Sequence, residues 1–232
     1  MAGNGGSKRV WFVCIFVFVV LLVDTLAANG VRWQFDFGAF NFDIRWSAFS
    51  WRGDGALAQF DFFKFVFWLV IPVALCLPCM DWGYFGFARW KRADTYLLFG
   101  MVAIGIVSVL SILFIPQLRE WYPSASNKPF DVKLSLLYQQ MLWTASWLLG
   151  WEFMHRYFLL RAVAEKWPRW GWLLVPVSEA LYHLQKAPIE MAGMFVAGIA
   201  FTVWAVTRKN LMLPLIVHGS VEVGLAAFLV LV

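Results

Sequence analysis

The chain has three histidines, His155, His183 and His218, and each lies in an apolar run with a carboxylate at helical spacing. Glu152 stands three residues before His155, Glu179 four before His183, and Glu222 four after His218, while Arg156 follows Glu152 by four. Residues three and four apart share a helix face, so three helices are each predicted to present an acid–imidazole pair. Ionisable groups inside a bilayer are costly, usually face the bundle interior, pair there and mark function. Asp24, in an earlier apolar run, has no such partner and reads as an end-of-helix residue near the outer interface.

A glutamate in a low-dielectric pocket can serve as general base and, beside a histidine, can hold and deprotonate a water. A second histidine with a hydrogen-bonding neighbour one turn on can supply donors to a developing oxyanion. Those parts suffice for peptide hydrolysis without a covalent intermediate, and no Ser or Cys stands in a recognisable nucleophile motif. Metal binding is the alternative use of the same groups. Glu152-x-x-His155 has the spacing of carboxylate-bridged di-metal bundles, and the Glu and His residues together offer enough ligands for a site.

These groups must be positioned by membrane helices. Of 232 residues, 62% are hydrophobic and 14% charged, against about 45–50% and about 25% in soluble domains. So little polar surface cannot cover a soluble globule, and no second, soluble domain fits the length. Apolar runs cover residues 10–28, 62–80, 96–118, 134–163, 171–185, 189–206 and 211–232. At about 20 residues per span, they predict an all-α polytopic membrane bundle of about seven spans. The first run has the basic start and small-residue end of a signal peptide, but its length reads as a spanning helix. Aromatic residues make up 19%, with 15 Trp and 23 Phe, which suits lipid-facing and interfacial surface.

The net charge of +5 is scattered among short loops and forms no nucleic-acid stripe. Lys8 and Arg9, Arg89 with Lys91 and Arg92, Arg161 with Lys166 and Arg169, and Arg208 with Lys209 fall on one side if the N-terminus is cytoplasmic. The expected topology is therefore N-in and C-out in a bacterial inner membrane. Between residues 29 and 60, Trp33, Phe35 and Phe37 alternate with Arg32, Gln34 and Asp36. After Gly38, Phe40, Phe42 and Ile44 alternate with Asn41 and Asp43. This period of two predicts a short amphipathic hairpin whose aromatic face serves as an interfacial anchor, with a substrate-gating lid as the lesser alternative. Cys14, Cys76 and Cys79 lie in apolar runs, and no soluble βαβ pattern surrounds the Cys76-x-x-Cys79 pair, so they read as inert thiols.

The segment Trp151-Glu152-Phe153-Met154-His155-Arg156 resembles the first motif, Glu-Glu-x-x-x-Arg, of the CAAX-protease and bacteriocin-processing (abortive-infection) family. Trp151 stands at the first glutamate of that motif. The second motif, Phe-x-x-x-His, matches His183, with Glu179 at the Phe position. The third, His-x-x-x-Asn, matches His218, with Glu222 at the Asn position. Residues 183–190 also resemble a His-x-x-Lys-Pro-x-x-Glu stretch of bacterial members, through His183, Lys186, Pro188 and Glu190. The resemblance covers residues 134–230 and divides the chain into N-terminal spans with the aromatic loop, 1–133, and a catalytic-type core, 134–232.

The resemblance implies a glutamate-type intramembrane endopeptidase with an all-helical core, cleaving near the C-terminus of a membrane-associated or lipidated protein. Carried over by position, Glu152 and Arg156 belong to the first motif, His183 holds the water, and His218 and Glu222 sit at the oxyanion; Glu152 is then read as the base, fixed by Arg156. Glu179 and Glu190 are alternative carboxylates. No cofactor is implied, and the partners are a membrane-associated protein or peptide and the bilayer, not nucleic acid. Two rival readings are a non-catalytic immunity or scaffold protein and a metal-dependent membrane hydrolase.

Overall fold

A chain in hydrocarbon must satisfy its backbone hydrogen bonds internally, which helices do within one segment. The computed structural model describes residues 5–28, 33–36, 41–44 and 59–231, most of them helical. Helix α1 (Gly5–Ala28) is apolar all round. It turns Val10, Val13, Val17, Val20 and Leu21 inward and leaves Trp11, Phe12, Ile15, Phe18 and Leu22 outside, as expected of a helix with lipid on one side and protein on the other. Strands β1 (Trp33–Asp36) and β2 (Asn41–Ile44) follow and pair antiparallel, Trp33 opposite Ile44 and Asp36 opposite Asn41. The predicted hairpin is thus present in the backbone, while its aromatic face lies outside the described side chains.

Helix α2 (Phe62–Cys79) starts under an Asp61 cap whose carboxylate accepts from the Lys64 N–H at 3.0 Å. It widens into a π turn at Phe65–Val70, just ahead of Pro72. The proline ring lacks an N–H and crowds the carbonyl four residues back, so a widened turn there relieves the clash. Helices α3 (Arg92–Leu110) and α4 (Pro116–Trp121) lead to the long central helix α5, residues 130–166. Helix α5 is regular over Phe130–Phe153, widens into a second π turn at Met154–Leu159, and resumes over Leu160–Lys166. Then come α6 (Leu174–Tyr182), α7 (Pro188–Arg208) and α8 (Met212–Leu231).

The result is the helical membrane bundle that the apolar runs predicted. Among the described residues, five helices, α1, α2, α3, α7 and α8, are by length and composition apolar enough to cross a bilayer. Run 134–163 falls within α5, whose roughly 55 Å length is interrupted midway by Glu152, His155 and Arg156. Run 171–185 is only partly α-helical. Helix α6 has nine residues, about 14 Å, against about 30 Å of hydrocarbon. Tight 3₁₀ turns bound it at Gly171–Leu173 and His183–Gln185, and Pro188 then begins α7.

The middle of α5 is the core of the bundle: Trp151, Phe153, Met154, Tyr157, Phe158, Leu159 and Val163 are all buried. From α1, Phe16 meets Phe158 edge-on at 5.7 Å, and from α2, Trp68 lies 5.3 Å from Trp151. Gly150 permits that approach, since a Cβ there would fall 3.0 Å from the Trp68 Cβ and 3.1 Å from its backbone. Helix α7 ends on Lys209 in the left-handed region, φ 48°. Asn210 then accepts from the Met212 N–H at 2.8 Å and donates to the Gly86 carbonyl at 2.6 Å. This short, tied turn sends α8 back along α5 and brings His218 to the helix that carries Glu152.

Candidate active site

Glu152, His155 and Arg156 are fully buried on the central helix. The predicted Glu152–His155 pair does not form. His155 instead donates from Nδ1 to the Trp151 carbonyl at 3.0 Å, and its Nε2 has no hydrogen-bond partner among the described residues. The Glu152 carboxylate turns to another helix: Oε1 accepts from His218 Nδ1 at 2.7 Å. Its second oxygen, Oε2, lies 3.8 Å from Arg156 Nε, an ion-pair contact too long for a hydrogen bond.

Arg156 joins two carboxylates. Beside its contact to Glu152, its Nη1 donates to Glu179 Oε1 on α6, and all three side chains are fully buried. Glu179 and His183 were predicted to pair through the carboxylate, but they meet through the backbone. His183 Nδ1 donates to the Glu179 carbonyl at 2.8 Å. Because a carbonyl only accepts, this bond puts the proton on Nδ1 and leaves Nε2 of a neutral ring with a lone pair. Gly198 of α7 backs Glu179 so closely that a Cβ there would fall 2.5 Å from Oε2. When His218 carries both protons, Glu152 and Glu179 meet two cations, the balance that burial of charge demands.

The predicted His218–Glu222 pair is also redirected, since His218 spends Nδ1 on Glu152 and Glu222 stands half-buried one turn further along α8. Glu190 is engaged elsewhere: it accepts from the Tyr122 hydroxyl at 2.6 Å. Burial, with the neighbouring Glu190 carboxylate, pushes the Tyr122 phenol well up and keeps it a donor. The Lys186 ammonium lies 5.3 Å from the centre of the Tyr122 ring. The structure therefore brings Glu152, Arg156, Glu179 and His218 into one contiguous network. It sets His183 beside that network through the Glu179 backbone and leaves Glu190 in a separate contact.

Trp151 occupies the middle of this arrangement. Its indole is buried, with ring centroids 4.1 Å from His155, 5.9 Å from His183 and 5.1 Å from Tyr182. A second indole, Trp147, lies 5.4 Å from the His218 ring. Two of the three histidines thus pack against one tryptophan.

Asp24 lies near the C-terminal end of α1, as predicted, but has partners on other helices. It is fully buried, 3.3 Å from Lys64 Nζ, and accepts from the Tyr182 hydroxyl. Lys64 also lies 3.3 Å from Asp61. A signal for this cluster was present in the sequence: Lys64 and Asp24 are opposite charges in separate apolar runs, and such charges seek one another. Tyr182 carries no pattern that would have pointed to it.

Among the described residues, no group of three or more His, Cys, Asp and Glu side chains converges in a way that could hold a metal ion. The set of groups that does converge is a carboxylate with one oxygen free of hydrogen bonds, an arginine that holds it, and a histidine bonded to its other oxygen. Together with the helical fold, this defines a membrane protein with an ionisable centre in the core of its bundle. Residues 134–224 match the family described as type II CAAX prenyl endopeptidase Rce1-like, the same family that the sequence motifs resemble. Glu152, Arg156, Glu179, His183, His218 and Glu222 all lie within the matched residues. No curated protein and no solved structure matches the chain.

Proposed function

We propose that this protein is an intramembrane endopeptidase that hydrolyses a peptide bond near the C-terminus of a membrane-associated, lipidated protein. The observation that carries the reading is the Glu152–His218 contact of 2.7 Å between α5 and α8, with Arg156 behind it. Glu152 Oε2 takes a proton from a water whose other hydrogen is held by the lone pair of His183 Nε2. The hydroxide so formed attacks the scissile carbonyl carbon. His218, with both nitrogens protonated, donates from Nε2 to the oxyanion while Nδ1 stays on Glu152, and Glu222 as a carboxylic acid adds a second donor. Collapse of the tetrahedral intermediate breaks the C–N bond, and Glu152 returns its proton to the leaving amine. Arg156 positions Glu152 and Glu179 together.

In this reading the reaction uses water and side chains alone. Chelators leave the rate unchanged; stoichiometric zinc or iron with chelator-sensitive cleavage contradicts the mechanism. The basic clusters support a cytoplasmic N-terminus, with the enzyme in a bacterial inner membrane. The test is cleavage of a prenylated peptide with a free C-terminus by the purified protein in proteoliposomes, with fragments read by mass spectrometry. Glu152→Ala and His183→Ala are each expected to abolish release of the C-terminal fragment. Undiminished release by both variants overturns the assignment.

One observation favours a second reading, a non-catalytic immunity or scaffold protein of the same family. An indole, Trp151, stands where the family motif has its first glutamate, and it packs against His183. In that case a His183→Ala, His218→Ala double variant fully restores the phenotype of cells lacking the protein. An endopeptidase does not.

A further inference from the structure

His183 follows directly on a nine-residue helix, α6. Isolated helices shorter than about 12–15 residues are marginal, so the end of α6 needs an anchor from elsewhere. The anchor comes from the N-terminal helices, outside the family-matched segment. Tyr182, the last residue of α6, donates its hydroxyl to Asp24 of α1. Asp24 is in turn held by Lys64 of α2, 3.3 Å away, and Lys64 by Asp61, also at 3.3 Å. The Lys64 ammonium lies 5.2 Å from the Trp68 ring centre and 5.7 Å from that of Trp143.

The Tyr182 ring links this buried charge cluster to the candidate site. It packs 5.8 Å from Trp68, 5.1 Å from Trp151 and 5.6 Å from the His183 ring. A hydrogen bond to a fully buried carboxylate holds the ring, and the ring holds the terminal turn of α6. That turn closes the bond from His183 Nδ1 to the Glu179 carbonyl, which sets the imidazole tautomer.

We propose that Asp24, held by Lys64, is a remote positioning residue for His183, acting through Tyr182 to fix the Nδ1-protonated tautomer that leaves Nε2 free to hold the attacking water. The proposal rests on the role given to His183 above. It assigns to the N-terminal helices a task in the reaction beyond membrane anchoring.

The test pairs two measurements on the full chain in detergent micelles or liposomes: nitrogen-15 NMR of labelled histidine, and cleavage of the prenylated peptide. Wild type is expected to show a single Nδ1-protonated tautomer at His183. Tyr182→Phe, which removes one hydroxyl and keeps the ring, is expected to give mixed tautomers. It should also lower kcat on the order of tenfold to a hundredfold, as for a small misplacement of a catalytic group, with KM unchanged. Asp24→Ala should reproduce both effects. Asp24→Asn, which keeps an acceptor oxygen for Tyr182, should restore both to near wild type.

A single unchanged tautomer in Tyr182→Phe overturns the proposal, as does an Asp24→Asn variant no better than Asp24→Ala. Should Asp24→Ala fail to fold, Tyr182→Phe and Asp24→Asn decide alone. Tautomer changes as expected in the variants, together with a wild-type protein that cleaves nothing, support the positioning link and refute the protease reading, so the two failures are distinct.

Discussion

Glu152 and His218 lie 66 residues apart in the chain and meet at 2.7 Å between the central helix and the last one. The contact makes the site a property of the folded bundle, since neither helix alone pairs its acid with its imidazole. It also explains why α5 can bury Glu152 completely. Its two oxygens face a histidine and an arginine, and the arginine is shared with Glu179.

Arg156 is expected to be the most sensitive residue for stability. Removing one partner from a buried ion network typically costs about 3–5 kcal/mol. Arg156→Ala strands the buried Glu179 carboxylate and leaves Glu152 with His218 alone, so its unfolding in detergent should shift by that order relative to wild type. Arg156→Lys keeps a charge but offers a point-like ammonium in place of a planar fork. It should fall between the two. A denaturation series in one detergent measures all three proteins.

Gly198 should tolerate no side chain. A methyl group there would lie 2.5 Å from Glu179 Oε2, 3.1 Å from Pro176 Cβ and 3.2 Å from its Cα. Gly198→Ala should therefore push α6 from α7 and disturb the Glu179–Arg156 contact, at about 1–3 kcal/mol for overpacking. Gly193, on the same helix with open space at its Cβ, is the control. Gly193→Ala should leave the melting temperature and cleavage unchanged.

Glu222 distinguishes a donor at the oxyanion from an ionised neighbour. Glu222→Gln keeps a donor and removes any negative charge, so cleavage should be retained or faster. Glu222→Ala should lower kcat by about 10²–10³, the usual loss for one oxyanion donor. Initial rates at saturating peptide decide between them. A Glu222→Gln protein as slow as Glu222→Ala rules out the donor role.

Composition alone made the membrane class legible, and every ionisable residue of the site was visible as a charge in an apolar run. Their partners were not. Helical spacing compares a residue only with its own helix, which is why Glu152 was matched to His155 and His218 to Glu222. Across the bundle, Glu152 reaches His218 and Glu179 reaches Arg156. The π turn at Met154–Leu159, beginning two residues after Glu152, also departs from the 3.6-residue period on which such matching depends. Period-two alternation did reveal the β1–β2 pairing, because a hairpin is a local structure. The length of α6 was hidden, since the apolar run continues through the tight turns that bound the helix. Asp24 looked solitary for the same reason as Glu222 looked paired: Lys64 and Tyr182 come from distant helices.

The most direct measurement is a double-mutant cycle on Glu152 and His218, read as kcat/KM for the prenylated peptide in proteoliposomes. Glu152→Gln and His218→Ala should each lower it by about 10²–10⁴, the usual scale for a general acid–base group. The double variant should be little slower than either single one, because residues acting as a unit are not additive. Losses that multiply in the double variant, or a wild-type rate in either single one, would contradict a catalytic pair built from α5 and α8.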